Sequence, residues 1–136
     1  MEKTLVLIKP DGVQRKLIGE IISFYERKNL NIIALKMLTA TKDIAENHYE
    51  EHKGRNYFDE LITFITSSRL CAMVIEGNDA VTMVRKINGD KDPFKVDLGS
   101  IRGKFGGDKT QNLVHASDSV ENAKREITIW FPELTE

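Results

Sequence analysis

Strands that alternate with helices, few hairpin turn signals, and one fully apolar six-residue run predict an α+β fold, with helices packed on a single sheet. Four strands and two principal packing helices in the order βαββαβ make a ferredoxin-like sandwich. Its sheet is four-stranded and antiparallel, and a long loop precedes the last strand. A flavodoxin-like parallel sheet is the alternative, but it usually needs a fifth strand.

Each element follows from local pattern. Residues 4–8 are a short apolar strand, closed by the turn signal Pro10-Asp11-Gly12. Ile18, Ile21, Ile22 and Tyr25 fall at i, i+3, i+4 and i+7, which predicts an amphipathic helix ending near Asn29. Residues 31–38 read as a second strand. Residues 42–53 are charged and helical, and residues 58–66 form a further helix on Leu61, Ile62 and Ile65. Residues 70–75 are apolar throughout, the pattern of a strand buried on both faces. Glu76-Gly77-Asn78 turns this strand into a helix over 80–87. Residues 88–112 are irregular, basic and glycine-rich. A short strand over 113–115 and a helix over 120–131, stopped by Pro132, complete the chain.

Composition bounds the function classes. At 136 residues one domain spanning 1–136 is expected, since two would each bury too little core. The apolar set with glycine is roughly 47%, the ordinary globular value, which argues against intrinsic disorder. No apolar run approaches the roughly 20 residues of a membrane span, and the first residues lack a secretory apolar region. The single cysteine, Cys71, lies inside the apolar run and reads as a buried thiol in a reducing compartment. A cytoplasmic protein is expected. The net charge of −1 argues against bulk polyanion binding, so a nucleic-acid partner is not expected. Charge is nevertheless uneven: residues 85–109 hold seven bases against four acids, a balance that suits a small anion.

The irregular stretch carries the first chemistry. Long loops in compact domains tend to be functional. This one has Arg85 near its start, Lys91 and Arg102 within it, and Gly99, Gly103, Gly106 and Gly107 to let the backbone turn. Spaced guanidinium groups on flexible backbone suit a polyphosphate, because arginine presents a planar fork to phosphate oxygens. The Walker G-x-x-x-x-G-K-[ST] and the G-x-G-x-x-G fingerprints are both absent, as is any Cys/His zinc spacing. The densest polar cluster is Asn112-Leu113-Val114-His115-Ala116-Ser117-Asp118-Ser119. On the last helix Val120, Ala123, Ile127 and Trp130 form the apolar stripe, and Glu126 falls at its edge. A carboxylate there either meets solvent or turns inward to hold a partner. If it orients the His115 imidazole through one nitrogen, the other is free as a nucleophile.

The run from Thr4 through Lys9, Pro10, Asp11 and Gly12 to Val13, together with the run from Asn112 to Ser119, resembles the signature motifs of nucleoside diphosphate kinases. The likeness extends over essentially the whole chain, through Gly19-Glu20-Ile21, His48-Tyr49, Ile101-Arg102-Gly103 and Glu126-Ile127. It implies that a γ-phosphoryl group passes from a nucleoside triphosphate to a diphosphate through a phosphohistidine, ping-pong, with broad base specificity. His115 matches the nucleophile, Glu126 the carboxylate that orients it, and Ser117 the hydroxyl linking the two. Lys9 and Tyr49 match residues around the transferred group, with Lys9 also reaching the ribose. Arg85 and Arg102 match phosphate-binding arginines, and Asn112 a ribose contact. Tyr57 aligns with the aromatic on which the base stacks, with Leu61 beside it. The family's Mg²⁺ is carried by the nucleotide phosphates, not by a protein cage. A homo-oligomer, hexamer or tetramer, is implied.

Three positions depart from the family pattern. Lys91 stands where a threonine usually contacts the nucleotide phosphates, Leu98 where a proline precedes Gly99, and Ala116 where glycine follows the histidine. The short C-terminal end resembles bacterial or viral members. A silent nucleotide sensor would be expected to lose Lys9, Arg102 or His115, and a phosphohistidine carrier would not need Asn112 or Tyr57.

Overall fold

A computed structural model describes residues 1–134. Strand β1 (Glu2–Ile8) lies between β3 (Leu70–Gly77) and the short β4 (Val114–Ala116), and β2 (Asn31–Leu38) forms the far edge. The order is β2-β3-β1-β4 and every pairing is antiparallel. This is the predicted ferredoxin-like topology, and the antiparallel pairs exclude the flavodoxin-like alternative.

Alternation along the two central strands builds two cores. Val6 and Ile8 of β1, with Cys71, Met73 and Ile75 of β3, face α2 (Ile18–Arg27) and α5 (Ala80–Asn88). Leu5 and Leu7, with Leu70, Ala72 and Val74, face α3 (Lys42–His48), α4 (Phe58–Ile65) and α7 (Val120–Trp130). Helices thus cover both faces of the sheet, which is why β1 from Leu5 to Ile8 and β3 from Leu70 to Ile75 are apolar without alternation. Edge strand β2 does alternate, and its exposed row is itself apolar: Ile33, Leu35 and Met37.

Several boundaries differ from the sequence reading for local reasons. Pro10-Asp11-Gly12 is not a simple turn but opens the short helix α1 (Pro10–Gln14), with proline in its favoured first-turn position. Helix α2 stops at Arg27, and Asn29 follows with a positive φ of 60°. The charged helix predicted to Lys53 ends at His48, and one 3₁₀ turn (Glu50–His52) carries the chain onward. The stretch 88–112 also contains helix α6 (Ile101–Phe105). It is capped by the Ser100 hydroxyl, which accepts from Gly103 N–H at 3.1 Å. Among the described residues no helix is long and apolar enough to cross a membrane.

Candidate active site

Three segments meet at the end of β1. Lys9 follows the strand and caps α1, and its backbone N–H donates to the Leu113 carbonyl at 2.8 Å. Asp11 Oδ2 accepts from Leu113 N–H at 3.1 Å. Leu113 is held at φ 77°, and Val114 N–H closes a three-residue turn onto the Asn112 carbonyl at 2.9 Å. A left-handed leucine is strained backbone of the kind that concentrates at functional sites. The turn delivers the chain into β4, which carries His115. Gly12 leaves room for it, since a Cβ there would lie 2.8 Å from Ile8 Cγ2 and 3.3 Å from the Leu113 carbonyl oxygen.

His115 Nε2 lies 2.8 Å from Glu126 Oε1, and the Ser117 hydroxyl donates to the same oxygen at 2.8 Å. The serine oxygen also accepts from Leu5 N–H at 3.3 Å, so β1 fixes this group directly. Glu126 is only 5% exposed, so the carboxylate at the edge of the helix stripe turns inward. An ionised carboxylate only accepts hydrogen bonds, which assigns the imidazole proton to Nε2 and leaves the lone pair on Nδ1.

Charge around this pair is set by burial and by converging cations. His115 is held well below the usual histidine range, first by burial and then by Lys9, Lys91, Arg102 and Arg85. It is therefore neutral at pH 7. Burial raises the Glu126 carboxyl, against the opposing effects of His48, the Ser117 hydrogen bond and Arg125. Lys9 is 6% exposed and its ammonium is lowered to about 7, first by burial and then by Lys91 and Arg102. Its Nζ donates to Asn112 Oδ1 at 3.0 Å.

Arg85 and Lys91 make no side-chain hydrogen bond among the described residues, so their cations are available to a ligand. Arg102 is placed differently. Its guanidinium donates to the carbonyls of Gly89 (2.7 Å), Asn112 (3.2 Å) and Val114 (2.5 Å), tying the irregular stretch to β4.

A cleft of about 1080 Å³ opens over His115. Of the residues singled out from sequence, Lys9, Tyr49, Tyr57, Leu61, Arg85, Lys91, Arg102, His115 and Glu126 line it. Ser117 and Asn112 stand behind its wall. Asn112 is 2% exposed, and its amide donates to the Lys109 carbonyl at 2.8 Å while accepting from Lys9. Tyr57 and Leu61 lie at the start of α4, and the Tyr57 hydroxyl is 2.7 Å from His52 Nδ1. The sequence reading gave no site role to Asp11, His48, His52 or Trp130. His48 had a signal, its place before Tyr49, but Asp11 and Trp130 act through contacts distant in sequence.

The fold and this cationic cleft, with a histidine–carboxylate pair at its foot, suit an enzyme of the phosphotransferase class. The family model described as nucleoside diphosphate kinase matches residues 2–135. A nucleoside diphosphate kinase from Sulfurisphaera tokodaii is 53% identical over 133 residues, covering 98% of this chain and 90% of that protein. Another, from Saccharolobus islandicus, is 49% identical over 131 residues, covering 96% and 95%. The crystal structure of a nucleoside diphosphate kinase family protein from Babesia bovis superposes with a TM-score of 0.94 at 45% identity, covering 98% of this chain and 90% of that one. The chain belongs to the nucleoside diphosphate kinase family, and nucleoside diphosphate kinase activity is the function these matches support.

Proposed function

We propose that the single domain transfers the γ-phosphoryl group of a nucleoside triphosphate to a nucleoside diphosphate in two half-reactions on His115. The observation that carries this reading is the His115 Nε2–Glu126 hydrogen bond, which directs the Nδ1 lone pair to the reaction. In the first half-reaction Nδ1 attacks the γ-phosphorus. The N–P bond forms as the bond to the β,γ-bridging oxygen breaks, and the diphosphate leaves with that electron pair. In the second half-reaction a terminal oxygen of the incoming diphosphate attacks the phosphorus, and the electron pair returns to Nδ1. The proton on Nε2 stays in place throughout, held by Glu126 with Ser117 behind it.

Phosphoryl transfer has a loose transition state, so its catalysis is mostly positioning and charge stabilisation. Lys9, Arg85, Lys91 and Tyr49 are the groups we assign around the moving phosphoryl group. Arg102 serves partly through the loop it anchors, and Asn112 through Lys9 and the ribose. Tyr57 is 40% exposed and Leu61 is beside it, an arrangement that suits a stacked base. Stacking without edge-reading is tolerant of base identity, so similar kcat/KM values for purine and pyrimidine diphosphates are expected.

The donor set fits a Mg²⁺ delivered by the nucleotide. The His48, His115 and Glu126 cluster is rich in imidazole, whereas Mg²⁺ prefers oxygen ligands and retained water. The phosphates would supply its principal ligands, and the cleft-lining carboxylates Asp90 and Asp118 are available to hold its water. Bound there, the ion would neutralise charge developing on the leaving oxygen. The apolar rows Ile33, Leu35 and Met37, and the exposed Phe94 and Leu98, favour a homo-oligomer, hexamer or tetramer.

Initial-rate kinetics with ATP and a second diphosphate test the mechanism. Parallel double-reciprocal lines are expected. Intersecting lines, the mark of a ternary complex, would replace the covalent route with direct transfer.

A further inference from the structure

Beside the part-buried His115 lies a buried histidine to which the transfer mechanism gives no role. His48, at the end of α3, is 3% exposed and packs edge-to-face on the His115 ring, with centroids 4.4 Å apart. Trp130 Nε1 donates to His48 Nδ1 at 3.0 Å, and Trp130 is itself 1% exposed. An indole N–H only donates, so Nδ1 must be the acceptor and the neutral ring carries its proton on Nε2. That Nε2–H has no acceptor among the described residues, and His48 lines the cleft.

His48, His115 and Glu126 each offer one donor atom within 4.8 Å of the others, a spacing that would suit a transition metal. The hydrogen bonds oppose that use. Trp130 occupies one lone pair of His48, its other nitrogen bears a proton, and His115 Nε2 is committed to Glu126.

We propose that His48 is a positioning residue for the transfer at His115: Trp130 locks its ring as the Nε2–H tautomer, which braces the His115 imidazole and leaves one N–H for the cleft. This rests on the assignment of His115 as nucleophile. Protonating His48 at Nδ1 would set two donors against each other. It would also place an imidazolium in competition with His115 for Glu126. The groups facing His48 are His115 from β4, Glu126 and Arg125 from α7, Lys9 beyond β1, and Tyr49 beside it in the chain. Burial, His115, Arg125 and Lys9 all disfavour its charged form, and only Glu126 favours it. The Trp130 hydrogen bond adds to that bias and specifies which nitrogen carries the proton.

Long-range ¹H–¹⁵N correlation spectra of histidine-labelled protein test the tautomer directly. At pH 7 His48 is expected to be neutral with the proton on Nε2, and an Nδ1–H tautomer or an imidazolium would overturn the proposal. In Trp130→Phe, kcat is expected to fall about tenfold with KM for both nucleotides within about twofold, the split of a positioning group. The acid limb of its kcat profile should move to higher pH, because Nδ1 is then open to protonation. His48→Asn keeps an acceptor for Trp130 but removes the ring, and it should lose kcat similarly. It serves as the kinetic test if Trp130→Phe fails to fold. Unchanged kcat and acid limb in a variant that still labels on His115 would overturn the positioning role alone. Absence of label on His115 in the unmodified protein would overturn the nucleophile assignment beneath it.

Discussion

Lys9 offers a test of the electrostatics that the site is built on. Its ammonium is lowered from 10.5 to about 7 by burial first, then by Lys91 and Arg102. At about 1.4 kcal/mol per unit, that difference is roughly 5 kcal/mol between the two protonation states. A polyphosphate beside Lys9 supplies the missing negative charge and should restore the proton. About half of Lys9 is neutral at pH 7 and about nine-tenths at pH 8, so ADP binding at pH 8 should take up close to one proton. At pH 6 the uptake should fall to about a tenth of a proton. Titration calorimetry in buffers of different ionisation enthalpy counts the protons from the slope of observed against buffer enthalpy. Lys9→Met should remove most of the uptake and weaken ADP. Lys91 is also lowered, by burial and its arginine neighbours, so the variant is needed to apportion the effect. The same group gives a stability slope of definite sign. The folded value lies below the unfolded one, so the unfolded chain binds more protons between about pH 7 and 10.5. Through that window Lys9 makes the ligand-free protein more stable as pH rises. No proton uptake at pH 8, or uptake that survives in Lys9→Met, would refute the reasoning.

Other predictions rest on separate parts of the structure. Glu126→Gln should preserve the fold and lower kcat on the order of tenfold or more with little change in KM, since it weakens the hold on His115 Nε2; full wild-type turnover would show that this bond does not matter. Lys91→Ala should raise the ADP Kd several-fold at low salt, about 1 kcal/mol, with the effect shrinking as salt rises. An unchanged Kd would place the Lys91 ammonium in solvent. Leu98 is 79% exposed and its backbone N–H donates to nothing among the described residues, so Leu98→Pro should stabilise the protein by about 0.4–1 kcal/mol. A lower melting midpoint at equal concentration would contradict this.

The fold was legible where local pattern and tertiary role agree. The uniformly apolar runs of β1 and β3 announced central strands, and the spacing of Ile18, Ile21 and Tyr25 announced α2. Sequence pattern did not reveal α6, because five residues containing a glycine leave little periodicity and its start is set by the Ser100 cap. Residues in motif runs were legible as a candidate site: His115 and Ser117 occur in a dense polar block, Lys9 lies in a run that resembles the family's motif, and Glu126 stood out on an apolar helix edge. What escaped depends on partners far away in the chain. Asp11 reads as a turn residue until its oxygen is found on Leu113 N–H, and Trp130 reads as core until its indole is found on His48. Arg102 reads as a free phosphate ligand, yet its guanidinium spans three backbone carbonyls, which no spacing rule would reveal.

The central claim is that His115 Nδ1 becomes covalently phosphorylated and passes the group on. Incubation with γ-labelled ATP and Mg²⁺, removal of nucleotide, and mapping of the label test it directly. We expect an acid-labile, alkali-stable phosphoprotein with the group on Nδ1 of His115, discharged on adding GDP or UDP, and absent in His115→Ala. Label on another residue, label persisting in His115→Ala, or a phosphoprotein that GDP does not discharge would contradict the account.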